Sequence, residues 1–311
     1  MDNILASQAH QATKSGKRNS LFEFYRFLFA VWVVWYHGYF AFENEYFASG
    51  YLAVEFFFLL SGFYLLKTLD KYKNLSFFRG ITQMIFDKIK PLGLAFAVGV
   101  IFVFWQRLIE GKPVLFGYLW YVPIMLLAFV LIYVLRKLIK SNLAFILSLA
   151  LVSAICFAVL YVPIVAKLGV ARGIGAVSLG VLLSYIPKIS LKIKALNINA
   201  IITASLFFCV LFLAYLPKNN LICEYLLVFI FIPLLIYFTS TTNVKCKLFD
   251  FLGSLSFAIY AYQCVLRIIR MTSSIPRAWY LVILIVLVTA DKLIAHLHSK
   301  HIQKSKTKSI I

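Results

Sequence analysis

Arg26, His37 and Glu55 are ionisable side chains within two long apolar stretches near the amino terminus. Arg26 and His37 lie in LFEFYRFLFAVWVVWYHGYF, and Glu55 lies in GYLAVEFFFLLSGFYLL. A charged side chain at the centre of a membrane helix costs about 2.5–3.5 kcal/mol on the insertion scale, so its presence indicates a functional site. An imidazole oriented by a carboxylate is the arrangement of a general base. These residue types predict proton abstraction by His37, orientation of His37 by Glu55, and anion binding by Arg26.

The two apolar stretches predict a hairpin of membrane-spanning helices. Arg26 and His37 are eleven residues apart, which places them on nearly the same helix face, about 16 Å apart along the axis. The chain reverses before Glu55, which lies about one turn into the second helix, so we expect Glu55 and His37 at similar depth. We expect Arg26 near the opposite surface, where its guanidinium would bind a phosphate.

Structural roles remain open for these residues. His37 can also serve as a hydrogen-bonding residue within the bundle, and Glu55 as one partner of a structural ion pair. Ser61 with a His and a Glu would make an acyl-enzyme, but it lies roughly 9 Å deeper than Glu55 and on another helix face. Ser61-Gly62 therefore predicts a small-residue helix contact, and the expected chemistry is direct transfer without a serine intermediate.

The whole chain has the composition of a membrane protein. Of its 311 residues, 63% are hydrophobic and 14% are charged, an apolar surface that a soluble domain does not cover. The predicted fold class is all-α, a polytopic transmembrane helix bundle of about ten spans. The predicted spans are 21–41, 50–68, 89–107, 116–135, 142–162, 170–187, 196–216, 221–240, 250–269 and 277–295.

Basic residues predict the orientation. The basic loops alternate along the chain and place both termini in the cytoplasm, with Glu43 and Glu45 outside. The predicted exception is the last outer turn, which is flanked by Arg267, Arg270 and Arg277. Three segments are expected: a basic tail over 1–20, one transmembrane domain over 21–295, and a second basic tail over 296–311. The net charge of +20 indicates contact with anionic membrane lipid, and the chain has no nucleic-acid-binding motif. No metal site is predicted, because the five cysteines lack metal-ligand spacing.

The hairpin resembles one known family. The Arg-x10-His spacing of Arg26 and His37, and the segment VEFFFLLSGF around Glu55, are similar to the first two helices of the acyltransferase-3 family. The resemblance runs from about Ser20 to Thr68 and, less closely, to about Ala290. It implies transfer of an acyl group, typically acetyl, from cytoplasmic acyl-CoA to a hydroxyl of a surface glycan or lipid-linked saccharide. It also implies a bacterial inner-membrane protein with no bound cofactor and acetyl-CoA as the donor substrate.

The resemblance extends to possible acyl-CoA contacts. Lys88 and Lys90 lie in KIKP, where many members have R-x-x-R-I-x-P, so Lys replaces Arg and cannot bind a phosphate bidentately. Arg172 has the family's R-x-x-x-F-x-x-G-like spacing. Each of these bases can instead be an ordinary residue at the edge of a span, by the positive-inside rule or by snorkelling.

Three further residues are predicted to line the substrate site. Trp120 lies in a segment similar to the family's L-W-F/Y-L, although an interfacial belt aromatic fits equally well. Tyr260 and Gln263 lie in FLGSLSFAIYAYQCVL, which is similar to L-G-x-x-S-Y-x-I-Y-x-x-H, with Gln in place of His. A glutamine can hydrogen-bond a substrate or a neighbouring helix, but it cannot carry a proton.

Two other function classes remain open. A transporter or flippase for a glycan or an acylated precursor would use His37 and Glu55 as a proton relay. The absence of clear inverted repeats argues against it. The Lys-for-Arg and Gln-for-His departures are also compatible with a membrane subunit that has lost activity.

Overall fold

The computed structural model describes most of the chain. The described residues are 19–37, 49–111, 119–159, 169–189, 192–193, 196–215, 221–276 and 278–308. Most of the predicted amino-terminal tail, the predicted outer residues Glu43 and Glu45, and Arg277 lie outside these ranges.

The described part of the chain is almost entirely helical. Its helices are α1 Ser20–Tyr36, α2 Ala53–Lys71, α3 Phe77–Ile89, α4 Gly93–Glu110, α5 Tyr121–Leu138, α6 Asn142–Val159, α7 Val170–Tyr185, α8 Ile198–Tyr215, α9 Leu221–Tyr225, α10 Ile232–Thr241, α11 Lys247–Thr272 and α12 Ala278–Lys308. Short 3₁₀ turns cover Gly50–Leu52 and Lys90–Leu92, and a π-helical segment, Leu226–Phe231, joins α9 to α10. Strands β1 (Lys192–Ile193) and β2 (Leu196–Asn197) form a two-residue antiparallel ladder before α8.

The predicted polytopic bundle is confirmed. Eight helical segments are long and apolar enough to cross a membrane within the described ranges. The two remaining predicted spans coincide with helices of 17 residues (α1) and 16 residues (α7). The cytoplasmic location of the termini stays a prediction.

Two departures from the predicted spans have backbone causes. The predicted third span, 89–107, corresponds to a turn followed by α4, and a separate helix, α3, precedes it. The two helices are separate because Pro91 lies in the turn between them and Gly93 adopts a φ of 60°, a conformation that favours glycine. The eighth span contains the π-helical segment directly before Pro233. Proline lacks an amide hydrogen, so the regular helical ladder is interrupted there.

Glycines allow α2 and α7 to pack closely along each other. Gly62 on α2 lies against the backbone of Val177, and Gly180 on α7 lies against the backbone of Leu59. A side chain at either position would collide with backbone atoms that cannot move aside. The small-residue contact predicted for Gly62 is therefore confirmed, and this packing holds Glu55 and Arg172 on adjacent helices.

Helices α1 and α11 pack along each other in the same direction. Gly253, early in α11, lies against Glu23, early in α1. At the other ends, Arg270 Nη1 donates to the carbonyl oxygen of His37 over 3.3 Å. This parallel pairing brings the carboxyl end of α11 to His37.

Candidate active site

His37 lies at the carboxyl end of α1, where it caps the helix. Its ring lies 5.1 Å from the ring of Tyr36, and its backbone amide donates to Val33 over 3.3 Å. Arg267 of α11 lies close enough for its charge to act on the imidazole. His37 is thus placed at one end of the bundle beside the cationic end of α11.

Glu55 forms an ion pair with Arg172 of α7. Arg172 Nε donates to Glu55 Oε1 over 2.6 Å, and the carboxylate is buried, with 2% of its side chain exposed. The other oxygen, Oε2, has no hydrogen-bond partner in the described ranges. The prediction that Glu55 holds His37 directly is therefore wrong. Arg172 takes the carboxylate because α7 packs along α2 at this depth, a contact that the spacing within the hairpin does not reveal.

Two tyrosines connect this ion pair to His37. Arg172 Nη2 donates to the carbonyl oxygen of Tyr51 over 3.2 Å, and the guanidinium lies 5.6 Å from the centre of the Tyr51 ring. The Tyr51 ring in turn lies 5.7 Å from the ring of Tyr36, the neighbour of His37. Glu55 therefore reaches His37 through a chain of contacts and not through a shared hydrogen bond. Tyr51 was not predicted as a site residue, although it lies in the same apolar stretch as Glu55, four residues before it.

The four predicted acyl-CoA contacts do not form one group. Arg172 lies at the Glu55 end of α2, whereas Lys88 Nζ donates to Thr68 Oγ1 over 3.4 Å at the other end. Thirteen residues of helix separate Glu55 from Thr68, a rise of about 20 Å. Arg172 is therefore separated from Lys88, although the sequence grouped them.

Lys88 is held near the end of α2 by a small polar network. Asp87, its neighbour on α3, pairs with Lys71 and accepts a hydrogen bond from Tyr72 over 2.8 Å. Burial raises the pKa of Tyr72, and the hydrogen bond to the Asp87 carboxylate raises it further. Tyr72 stays protonated and keeps donating this bond, which fixes α3 against α2. Lys90 is exposed at the turn that follows.

Arg26 lies in the amino-terminal half of α1 and forms an ion pair with Glu23. Its Nη1 donates to the two carboxylate oxygens of Glu23 over 2.9 and 3.2 Å, while 33% of its side chain remains exposed. The charge of Arg26 also acts on the hydroxyl of Tyr121, inside the bundle. Arg26 is thus held in place, but Glu23 is a partner that the sequence analysis did not anticipate.

Ser61 and Tyr260 both lie against Tyr121, whereas Trp120 lies at the start of α5, close to Gly169. Ser61 Oγ and the Tyr121 hydroxyl lie 3.0 Å apart, and the Tyr121 ring meets the Tyr260 ring at 6.0 Å. Trp120 packs on Phe58 at 5.9 Å. The hydrogen bond of Ser61 goes to a tyrosine and not to His37, in agreement with a mechanism that has no serine intermediate.

Gln263 is a buried amide without a hydrogen bond. It lies on α11, its exposed fraction is 0%, and neither Nε2 nor Oε1 has a partner among the described residues. The predicted bond to a neighbouring helix is therefore wrong for the described residues. Moving an amide from water into an apolar interior without a hydrogen bond costs on the order of several kcal/mol of free energy. A ligand that forms hydrogen bonds with this amide would recover part of that free energy as binding affinity.

One family model matches most of the chain. A family model described as an acyltransferase domain, that of the acyltransferase-3 family, matches residues 20–290. The chain belongs to the acyltransferase-3 family. In this acyltransferase domain, the matched residues include every candidate residue described above. Comparisons with curated proteins and with solved structures give no match.

Proposed function

We propose that this acyltransferase transfers an acyl group, acetyl in the simplest case, from acyl-CoA to a hydroxyl of a cell-envelope saccharide. The observation that carries the proposal is the position of His37 at the end of α1, where Tyr36 and Tyr51 connect it to the buried Glu55–Arg172 pair. The acyl-CoA approaches from the end of the bundle that holds Arg26, Lys88 and Lys90, and the acceptor approaches from the His37 end. Bacterial inner-membrane location is part of this proposal.

The reaction needs one proton carrier. The imidazole of His37 removes the proton of the acceptor hydroxyl, and the resulting alkoxide attacks the thioester carbonyl carbon. A C–O bond forms and the C–S bond breaks. The departing thiolate takes the proton back from the imidazolium, so free coenzyme A and the ester are the products and His37 is regenerated.

Glu55 and Arg172 act as positioning residues in this proposal. Their ion pair fixes Tyr51 through a backbone hydrogen bond and a ring contact, and Tyr51 packs on Tyr36 beside His37. Since Glu55 does not bond to His37, its contribution is to hold the end of α1 in place.

Gln263 is proposed to bind the acyl-CoA. The pantetheine arm of acyl-CoA contains secondary amides, each with one N–H and one carbonyl group. The unpaired Oε1 and Nε2 of Gln263 offer the complementary acceptor and donor. Tyr260, one turn earlier on the same helix, would line the same path, and Trp120 would line its rim.

The proposal is tested by following label from donor to acceptor. Membranes that contain the protein are incubated with acetyl-CoA labelled in the acetyl group, and the saccharide fractions are counted. We expect chain-dependent, alkali-labile label in saccharide, with membranes that lack the chain as the control. Uptake or export of saccharide without consumption of thioester would instead favour the transporter hypothesis.

A substitution at Gln263 tests its role in donor binding. We expect Gln263→Met to raise the KM for acetyl-CoA by about tenfold, the value of one or two lost hydrogen bonds. The unfolding temperature should stay the same or rise, because an unpaired buried amide is replaced by an apolar side chain of similar volume.

The matched control is Thr203→Val, at a buried position whose hydroxyl donates to the carbonyl oxygen of Asn199 in its own helix. An unchanged KM for acetyl-CoA in Gln263→Met would show that Gln263 does not contact the donor.

A further inference from the structure

A cluster of arginines surrounds one carboxylate at the His37 end of the bundle. This arginine cluster comprises Arg107, Arg267 and Arg270, together with Glu110. Glu110 Oε1 accepts from Arg267 Nη2 over 3.2 Å, and Glu110 Oε2 lies 3.8 Å from Arg107 Nη1. Arg270 donates to the His37 carbonyl oxygen. The cluster therefore joins α4, α11 and the end of α1 around His37.

Among the described residues, the cluster contains three guanidiniums and one carboxylate. Within the described part of the chain, one carboxylate, that of Glu110, is shared by two guanidiniums, and a third guanidinium lies at His37. The same arginines of α11 break the alternation of basic loops along the sequence. Arginines that concentrate at one end against this pattern indicate an anion-binding site.

Gln106, which contacts the cluster, and Arg107 each have a buried polar atom without a hydrogen-bond partner among the described residues. Gln106, which is 2% exposed, donates from Nε2 to Glu110 over 2.7 Å. Its Oε1 has no donor, and the buried Nε of Arg107 has no acceptor, among the residues described. The cluster thus presents an unused hydrogen-bond acceptor beside an unused charged donor. A saccharide that carries both hydroxyl groups and an anionic group satisfies both.

We propose that this arginine cluster binds the anionic group of an acidic acceptor saccharide, a carboxylate or a phosphate, and so presents a neighbouring hydroxyl to His37. This inference rests on the proposed function, because it assigns the acceptor to the His37 end. Arg267 and Arg107 hold the anion, Glu110 fixes the two guanidiniums, and Gln106 Oε1 accepts from a sugar hydroxyl.

The charge of the acylated product is the first test. Membranes are incubated with labelled acetyl-CoA and the envelope saccharides of the host. Mild acid then removes any lipid carrier, and the labelled saccharides are separated by anion exchange. We expect the label to be retained on the column. Label only in the neutral fraction would overturn the inference while leaving the acyltransferase function intact, whereas no label in any fraction would overturn the proposed function itself.

Substitutions then test whether the anionic group of the acceptor binds at the arginine cluster. With the retained saccharide as acceptor, Arg267→Gln should raise the acceptor KM by about tenfold or more, as expected for a lost charged hydrogen bond. The KM for acetyl-CoA should not change. Arg270→Gln, at an exposed position, should raise the acceptor KM and lessen its dependence on salt.

Arg79→Gln, at an exposed position on α3, is the matched control and should leave the acceptor KM unchanged. A rise in the acetyl-CoA KM in place of the acceptor KM would overturn the inference, because the anion would then be a phosphate of the donor. Unchanged acceptor KM in both cluster variants would overturn it as well.

Discussion

Replacement of His37 with alanine should lower the rate of acyl transfer by a factor of about 10²–10⁴, the usual contribution of a general base. Without the imidazole, the acceptor hydroxyl loses the proposed base that takes its proton, so the alkoxide forms far more slowly. The measurement is the initial rate of label transfer from acetyl-CoA to saccharide, divided by the amount of chain in the membrane.

The matched control for this experiment is His298→Ala. His298 is exposed on the last part of α12 and should be replaceable without loss of rate. His37→Gln is informative too, because glutamine keeps hydrogen bonding but cannot carry a proton. A His37→Gln variant with near-normal turnover would mean that the imidazole serves only as a hydrogen-bonding group within the bundle.

The second large effect is expected at the Glu55–Arg172 pair. Glu55→Gln or Arg172→Met alone leaves one buried charge without its partner, which should reduce stability by about 3–5 kcal/mol. The double variant has no buried charge, so its unfolding temperature should recover most of the loss. The measurement is thermal unfolding of the detergent-solubilised chain.

The double variant separates stability from function. If the ion pair positions Tyr51 and, through it, the end of α1, the rate of acyl transfer in the double variant should stay lower by about tenfold or more, even when stability is restored. This factor corresponds to the loss of one hydrogen bond to a charged group. Recovery of the rate together with the unfolding temperature would show that the pair is purely structural. Lys71→Gln, which removes an ion pair with Asp87 at an exposed lysine, is the control and should have a small effect on stability.

The predicted spans agree with the structure because hydropathy reports directly on which segments are apolar. A helix of 18 or more apolar residues forms all its backbone hydrogen bonds within itself, so it is stable in lipid whichever helices surround it. The exceptions are local. The turn at Pro91 and Gly93 separates α3 from α4, and the π-helical segment precedes Pro233. Each proline is visible in the sequence, but whether it ends, bends or only loosens a helix depends on the surrounding packing.

The partners of the buried charges were the least predictable feature. Spacing along one helix gives the depth and face of Arg26, His37 and Glu55, and the structure does place His37 and Glu55 at the same end, since Gly50 packs on Tyr36. Spacing does not give the identity of the helix that packs on that face. Glu55 pairs with Arg172, 117 residues away in the chain, because Gly62 and Gly180 let α7 approach α2 closely.

The sequence by itself determined the membrane-spanning all-α class, the hairpin that carries Arg26, His37 and Glu55, and the resemblance that family comparison confirmed. These features depend on composition and on short spacings. Only the tertiary structure decided that Arg172 forms an ion pair with Glu55 and that Glu110 forms ion pairs with Arg107 and Arg267 near His37. It also decided that the Gln263 amide has no hydrogen bond among the described residues. Such pairings depend on which helices become neighbours, and that choice is made by contacts between residues far apart in the chain.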